Sequence, residues 1–462
     1  MPRGIFIVFV SFLLFFCRAA MASDSPAAQR PNIITIAGDD IGWNDVGFHG
    51  SSIKTPNIDK LAAAGARLDR FYVNPICSLT RASFLTGQFC PRTGVNNRSG
   101  LPLDYRIFPE DFRAAGYQTW MCGKWHLGGS DDNMLIGREY HPDSRGFDHF
   151  YGFLAGAVDY FAHVNPANGK PDWWRNGQAV VEKGYSTELL ADEAISLIKK
   201  RDPDKPFLLH LAFNAAHGPL QPPATVAGRG GAYHAVVEAM DRAIGRVLDT
   251  LDEQKIADST IVLFFCDNGA QEGRGGSNAP LRGFKGEAYE GGVRSAAALR
   301  YPPAIRAGSE FAGWMWAGDV WPTLAAAAGI KPQPAKAFDG VNMWPALIAA
   351  DGMAARAPFA VGSKSMAWFE PPWKLIVSPD GPAELYNLAD DPGETRNLAM
   401  QDAERVTRMT SDLKKNLGSW RMKGAGGKGG RGQGGEGGRG RRHAPQEGAA
   451  PGAALDRPSA DE

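Results

Sequence analysis

Cysteine is scarce in this chain, with five among 462 residues. A chain this long with so few is no disulfide scaffold. Net charge is lacking as well. Lys and Arg together number 50, and so do Asp and Glu. That balance argues against a general nucleic-acid binder, which carries a basic surface. Beyond the N-terminal segment no stretch is long and apolar enough to cross a bilayer. What remains is ordinary globular composition, 44% hydrophobic and 22% charged. Its length suits a large α/β fold with a small appendage.

The two ends differ from the middle. Arg3 precedes an apolar run over residues 5–16, and Ala20-Met21-Ala22 fits small-x-small cleavage. Residues 1–22 therefore read as a cleavable export signal, with Ser23 first in the mature chain. The run falls short of the roughly 20 apolar residues a membrane span needs. The expectation is an exported protein, periplasmic or extracellular, without a stable membrane span. Residues 422–462 are Gly/Arg-rich, as in Gly426-Gly427-Lys428-Gly429-Gly430-Arg431. Such a segment has little to bury and reads as a disordered, solvated tail. Loss of Cys17 with the signal leaves Cys77, Cys90, Cys122 and Cys266, among which a Cys90–Cys122 bridge is one pairing the sequence permits. Asn97-Arg98-Ser99 is a glycosylation sequon.

Four short apolar runs each lead into polar residues. Residues 32–37 precede Gly38-Asp39-Asp40, and residues 260–265 precede Cys266-Asp267-Asn268-Gly269. Residues 207–213 lead to Asn214-Ala215-Ala216-His217, and residues 117–121 to Gly123-Lys124-Trp125-His126. Such runs read as buried strands of a parallel or mixed sheet, with residues 31–38 central. Helical spacing lies between them, from Thr55 to near Gly65, over residues 188–199 and over residues 233–251. Alternating strands and helices indicate an α/β domain, whose ligands sit at the carboxyl ends of its strands.

The residues delivered there have a common chemistry. Asp39, Asp40, Asp267 and Asn268 offer only oxygen, which suits Ca²⁺ first and Mg²⁺ second, and does not suit zinc. Residues 77–87 read as a loop entering a helix that stops at Gly87. Arg81 then shares a helix face with Cys77, and a helix N-terminus beside an arginine favours negative charge. Lys124, His126, His217 and Lys285 add positive charge and proton-transfer capacity. Together the set describes a site for a tetrahedral oxyanion ester.

Residues 77–87 resemble the sulfatase signature C-x-P-S/T-R-x-x-x-L-T-G, and Gly123-Lys124-Trp125-His126-Leu127-Gly128 resembles the second signature. Further matches are residues 42–50, Ala216-His217-Gly218-Pro219-Leu220, residues 280–285, Gly291-Gly292-Val293-Arg294, and Glu384-Leu385-Tyr386-Asn387-Leu388 with Asp391-Pro392-Gly393-Glu394. Over residues 30–417 the chain thus resembles the type I, formylglycine-dependent sulfatases of the alkaline phosphatase superfamily, arylsulfatase B-like in flavour. The resemblance implies that a maturation enzyme converts Cys77 to formylglycine, whose hydrated aldehyde attacks sulfur. It implies that Asp267 takes the nucleophile's proton and that His126 helps expel sulfate. His217 and Lys285 bind sulfate and assist the leaving oxygen. Arg81 and Lys124 hold the modified residue, and Asp39, Asp40, Asp267 and Asn268 hold Ca²⁺.

Two positions depart from the pattern. Leu79 stands where the signature has Pro, which predicts weaker recognition by the maturation enzyme. Ala157, in Gly156-Ala157-Val158-Asp159, stands where related enzymes often carry Ser, which alters one sulfate contact. The architecture expected is an alkaline phosphatase-like sandwich. Residues 30–345 would form the catalytic domain, a large mixed and mostly parallel sheet flanked by helices. Residues 346–420 would form a smaller antiparallel sheet with a helix. The function expected is an exported sulfatase acting on sulfate esters, most of all those of a sulfated glycan. Two other readings stay open: a phosphodiesterase or phosphonate monoester hydrolase of the same superfamily, and a non-catalytic sulfated-glycan binder should Cys77 escape maturation.

Overall fold

The fold is built around β1 (Asn32–Gly38), a seven-residue apolar strand buried almost throughout. The computed structural model describes Met1 and residues 30–96, 99–128, 137–226, 230–349 and 356–417. The rest of the expected export segment, Asn97 of the sequon and the tail over residues 422–462 lie outside the described residues.

The other strands of the large sheet are β2 (Ala66–Tyr72), β3 (Gln118–Lys124), β4 (His149–Phe153), β5 (Trp174–Arg175), β6 (Gln178–Ala179), β7 (Phe207–Ala212), β8 (Thr260–Cys266), β9 (Arg294–Ser295), β10 (Ala297–Arg300) and β11 (Ser309–Trp316). Their spatial order is β11-β2-β10-β8-β1-β7-β3-β4-β5-β6, with β9 paired to β2. The central run β8-β1-β7-β3-β4 is parallel throughout. Antiparallel pairs lie outside it, at β10 and at β5 and β6. The expected mixed, mostly parallel sheet with a central residue 31–38 strand is therefore observed.

Strand alternation feeds two apolar layers. Along β8, Ile261, Leu263 and Phe265 enter one layer, and Val262, Phe264 and Cys266 enter the other. The first layer is covered by α2 (Cys77–Thr86), the short α3 (Cys90–Thr93), α4 (Phe108–Ala114), α8 (Val320–Ala327) and α9 (Trp344–Ile348). The second is covered by α1 (Pro56–Ala63), α5 (Ser186–Lys200) and α6 (Ala232–Glu253). Helix α6 packs Val236, Val237, Met240, Ile244 and Val247, a stripe at three- and four-residue spacing.

This layering overturns the Cys90–Cys122 pairing. All four described cysteines are buried free thiols. Cys90 lies in the first layer, whereas Cys122 follows Met121 on β3 and so faces the second. Side chains on opposite faces of a sheet cannot meet.

A second, antiparallel sheet follows, of β12 (Phe359–Gly362), β13 (Met366–Glu370), β14 (Trp373–Val377) and β15 (Glu384–Asn387). Helix α10 (Ala403–Leu417) covers it with Met409, Leu413 and Leu417. The small sheet meets the large one through Tyr72, Trp314 and Trp316, and through a buried ionic cluster. Lys374 Nζ lies 2.9 Å from Glu290 Oε1 and 2.7 Å from Glu394 Oε1. Glu290 belongs to the short helix α7 (Glu290–Val293) and also accepts the Tyr72 hydroxyl at 2.9 Å. Glu394 accepts the Glu290 backbone N–H at 2.7 Å. The late Asp391-Pro392-Gly393-Glu394 motif thus braces the Gly291-Gly292-Val293-Arg294 motif.

Candidate active site

Adjacent parallel strands end in register at one edge of the large sheet. Gly38 pairs with Cys266, and Ala212 pairs with both Ala37 and Gly123. The next residues along each strand are therefore Asp39, Asp267, Phe213 and Lys124, and the loops beyond bring Asp40, Asn268, His217 and His126. The fit of β3 against β7 requires glycine: a Cβ on Gly123 would stand 1.8 Å from the Ala212 carbonyl oxygen. Helix α2 enters from the loop after β2, placing Cys77 at its first turn and ending at Gly87 with φ 67°. All ten residues of α2 are buried.

The sequence-predicted residues converge. Cys77 Sγ lies 3.2 Å from His126 Nδ1. Oxygens of Asp39 and Asp267 lie within 4.8 Å of that sulfur and of each other. Asp39, Asp40 and His217 form a second group on the same scale. Lys124 Nζ donates to Asp39 Oδ2 at 2.5 Å. Arg81 donates through Nη2 to Asp267 Oδ2 and through Nη1 to the Lys124 carbonyl, both at 2.7 Å. Lys285 Nζ sits 2.6 Å from Asp40 Oδ1, and His217 Nε2 sits 3.8 Å from Asp40 Oδ2. Two of these residues, Asp40 and His126, have φ of 58° and 57°. Non-glycine residues seldom adopt this left-handed conformation, and such strain clusters at functional sites.

Burial sets the electrostatics. It holds His126 well below its ordinary range, with Lys124 and Arg81 acting in the same sense. Burial and Lys124 pull His217 down to about 4, against Asp40. Both imidazoles are therefore neutral near pH 7, His126 with a ring nitrogen turned to residue 77. Burial lifts Asp267 to about 6, with Asp39 adding to the rise and Arg81 opposing it. Burial also raises the Cys77 thiol, and Lys124 only partly offsets this. A protonated, buried thiol is a poor nucleophile.

The oxygen cluster fits a hard divalent cation. Asp39 Oδ1, Asp267 Oδ1 and Asn268 Oδ1 are buried without a hydrogen-bond donor. Asn268 turns its amide nitrogen to Asp40 Oδ1 at 2.8 Å and to the Gly269 carbonyl at 2.9 Å, which leaves its oxygen free. Three orphaned oxygens, two from carboxylates, cost several kcal/mol by order of magnitude unless something positive meets them. No histidine or cysteine is needed to complete an oxygen-only set for Ca²⁺ or Mg²⁺.

Several supporting residues were not singled out from the sequence, although Asp45 lies in the matched stretch of residues 42–50. Asn74 accepts the Gly362 N–H at 3.1 Å and donates to Leu79 O and Ser83 Oγ at 3.1 and 3.0 Å. Asp45 accepts from Gly42 N, Ser277 N and the Tyr233 hydroxyl, at 2.7, 2.9 and 2.6 Å. The Tyr160 hydroxyl holds the Asn214 and His217 carbonyls, each at 3.0 Å. The two departures are placed as well. Leu79 is buried in the first apolar layer. Ala157 follows Gly156, where a Cβ would come within 2.7 Å of His126 Nε2.

Residues 31–330 match the family model described as Sulfatase. The chain is 35% identical to arylsulfatase J of Mus musculus over 337 residues, 68% of this chain and 55% of that protein. It is 32% identical to N-acetylgalactosamine-6-sulfatase of Homo sapiens over 362 residues, 70% of this chain and 67% of that protein. The chain thus spans about half the length of the first relative and two thirds of the second. Among solved structures it resembles Ps i-CgsB in complex with k-i-k-neocarrahexaose, with TM-score 0.76 and 32% identity, covering 86% of this chain and 95% of that one.

Proposed function

This chain belongs to the sulfatase family, and from that premise we propose that it is an exported sulfuric ester hydrolase acting on sulfate esters of a glycan. The observation that carries the reading is the meeting of Cys77 Sγ, His126 Nδ1 and the orphaned oxygens of Asp39 and Asp267 at one strand edge. Export rests on the segment over residues 1–22. On this reading residues 30–345 carry the chemistry and residues 346–420 brace it. The glycan preference draws on the sulfated-sugar activity in the name of one relative and on the neocarrahexaose held by a similar structure.

Conversion of Cys77 to formylglycine by a maturation enzyme rests on the match of residues 77–87 to the sulfatase signature; as a buried, protonated thiol the residue would be a poor nucleophile. When present, formylglycine supplies an aldehyde hydrate, and Ca²⁺ on Asp39, Asp40, Asp267 and Asn268 supplies positive charge for the oxyanion. The chain's own residues do the rest. Neutral His126 accepts a proton at residue 77 through Nδ1. Arg81 and Lys124 hold Asp267 and Asp39 in place. Lys285 Nζ, beside Asp40, binds a sulfate oxygen and donates to the leaving oxygen; His217, whose Nδ1–H is held by the Gly218 carbonyl, joins it through Nε2 only when that nitrogen is protonated.

The test is sulfate release from a sulfated oligosaccharide and 4-nitrophenyl sulfate, beside a bis-nitrophenyl phosphodiester. The sulfate esters should turn over faster. Cys77→Ala should abolish turnover, and His126→Ala should lower kcat by about 10²–10⁴. Preferential turnover of the phosphodiester, or no sulfate release by protein carrying the aldehyde, would overturn the reading.

A further inference from the structure

We propose that Arg274 forms a subsite at the rim for a second anionic group, a sulfate or a carboxylate, carried by the substrate. The proposal rests on the sulfate-ester reading above. Inside the site each cation is already matched by a carboxylate: Arg81 by Asp267 at 2.7 Å, Lys124 by Asp39 at 2.5 Å, and Lys285 by Asp40 at 2.6 Å. Arg274 is exposed, and its guanidinium has no ion pair or hydrogen bond among the described residues. Glu272, exposed on the same loop, is not paired with it.

The loop bearing Arg274 is fixed at both ends to the site. It leaves Asn268 and is anchored by the Ala270 N–H donating to Asn278 Oδ1 at 2.9 Å. The Ala270 carbonyl accepts the Lys285 N–H at 3.0 Å. At the far end the Ser277 N–H donates to Asp45 Oδ1 at 2.9 Å, and the Ser277 carbonyl accepts the Asn44 N–H at 3.0 Å. Between these anchors the Arg274 N–H closes a turn onto the Gln271 carbonyl at 3.3 Å. The turn brings Arg274 Nη1 to 3.8 Å from the point where a Cβ would project from Gly218. The Gly218 carbonyl is in turn bonded to His217 Nδ1 at 2.8 Å. The unmatched guanidinium therefore stands beside Gly218, the residue that follows His217 in the chain and holds its Nδ1.

A guanidinium presents a planar fork that matches two oxygens of a sulfate or carboxylate. An exposed pair of this kind contributes up to about 1 kcal/mol, or about fivefold in binding. Substrates with a second anion near the scissile sulfate should gain that factor, and substrates without one should not.

The experiment compares the mature full-length enzyme with Arg274→Ala and Arg274→Lys. Three substrates are used: 4-nitrophenyl sulfate, a monosulfated disaccharide, and a disulfated or uronate-bearing disaccharide of the same skeleton. Arg274→Ala should raise KM for the dianionic disaccharide by about fivefold with kcat nearly unchanged. It should leave the other two substrates alone. Arg274→Lys should fall between, and the gap should narrow as salt rises. Lys331→Ala, an exposed cation elsewhere, should change none of the three. An unchanged KM for the dianionic disaccharide overturns the proposal, and so does an equal rise on all three substrates. Wild-type enzyme that releases sulfate from none of them contradicts the sulfatase reading itself.

Discussion

Three buried oxygens without donors make a direct statement about stability. Asp39 Oδ1, Asp267 Oδ1 and Asn268 Oδ1 have no donor from the chain itself. A cation that binds only the folded state adds stability, about 2.7 kcal/mol at a hundredfold excess over its Kd. Chelator-stripped protein should therefore melt higher when Ca²⁺ is added, and less so with Mg²⁺. Asn268→Ala should shrink that gain, and an identical melt with and without Ca²⁺ would refute the assignment. His210 gives a second prediction, away from the metal set. Burial, with Arg81 adding, holds it down to about 3, while Thr35 Oγ1 meets its Nδ1 at 2.9 Å. The unfolded chain binds a proton there near pH 6.5 and the folded chain does not. Stability should thus fall as pH drops from about 6.5 to about 3, by about 1.4 kcal/mol per pH unit for this one proton. His210→Gln should flatten that slope in urea unfolding series, and an unaltered slope would contradict it. At this scale the sequence exposed the residues that follow apolar strands, such as Asp39 and Asp267. It hid Asn74, because its Gly362 partner lies 288 positions away and no local pattern announces it.

Helix α2 is held by more than its own hydrogen bonds. Asn74 joins its first turns to Gly362 at the end of β12, so the small sheet grips the element that carries Cys77. Asn74→Ala would leave the Gly362 N–H buried and unpaired, at a cost of about 1–3 kcal/mol. Denaturant unfolding should show that loss, and kcat should fall while the aldehyde content at residue 77 stays normal by mass. Full stability and full kcat would disprove the clamp. Elements were the most legible level. Long periodic stretches gave α5 and α6 within a few residues, since a stripe of buried positions is written directly in the order of residues. β3 runs past the expected Met121 to Lys124 because Gly123 admits close contact with β7. The Cys90–Cys122 pairing failed for a related reason: which face a strand residue takes depends on register, and register is a property of the assembled sheet.

Across the whole molecule, the large and small sheets share one ionic joint. Lys374 Nζ lies between Glu290 and Glu394, and all three side chains are fully buried. Lys374→Met would leave Glu394 without its cation and Glu290 with Arg294 alone, at 3.7 Å, which costs about 3–5 kcal/mol. Thermal unfolding should report that loss as a lowered midpoint, and an unshifted midpoint would contradict the role of the joint. The joint was invisible in the sequence because its members come from two distant motifs and a third segment, the strand-like residues 373–377, with no local pattern that links them. The overall α/β architecture, by contrast, was legible, since four apolar runs with polar sequels require one common sheet edge. The central claim is that the chemistry runs through residue 77. Mass spectrometry of the tryptic peptide over residues 71–81, from protein made in its native host, tests it most directly. The account predicts an aldehyde-reactive, alkylation-resistant residue in place of the Cys77 thiol, despite Leu79. A free thiol throughout, in protein that still releases sulfate, would contradict it.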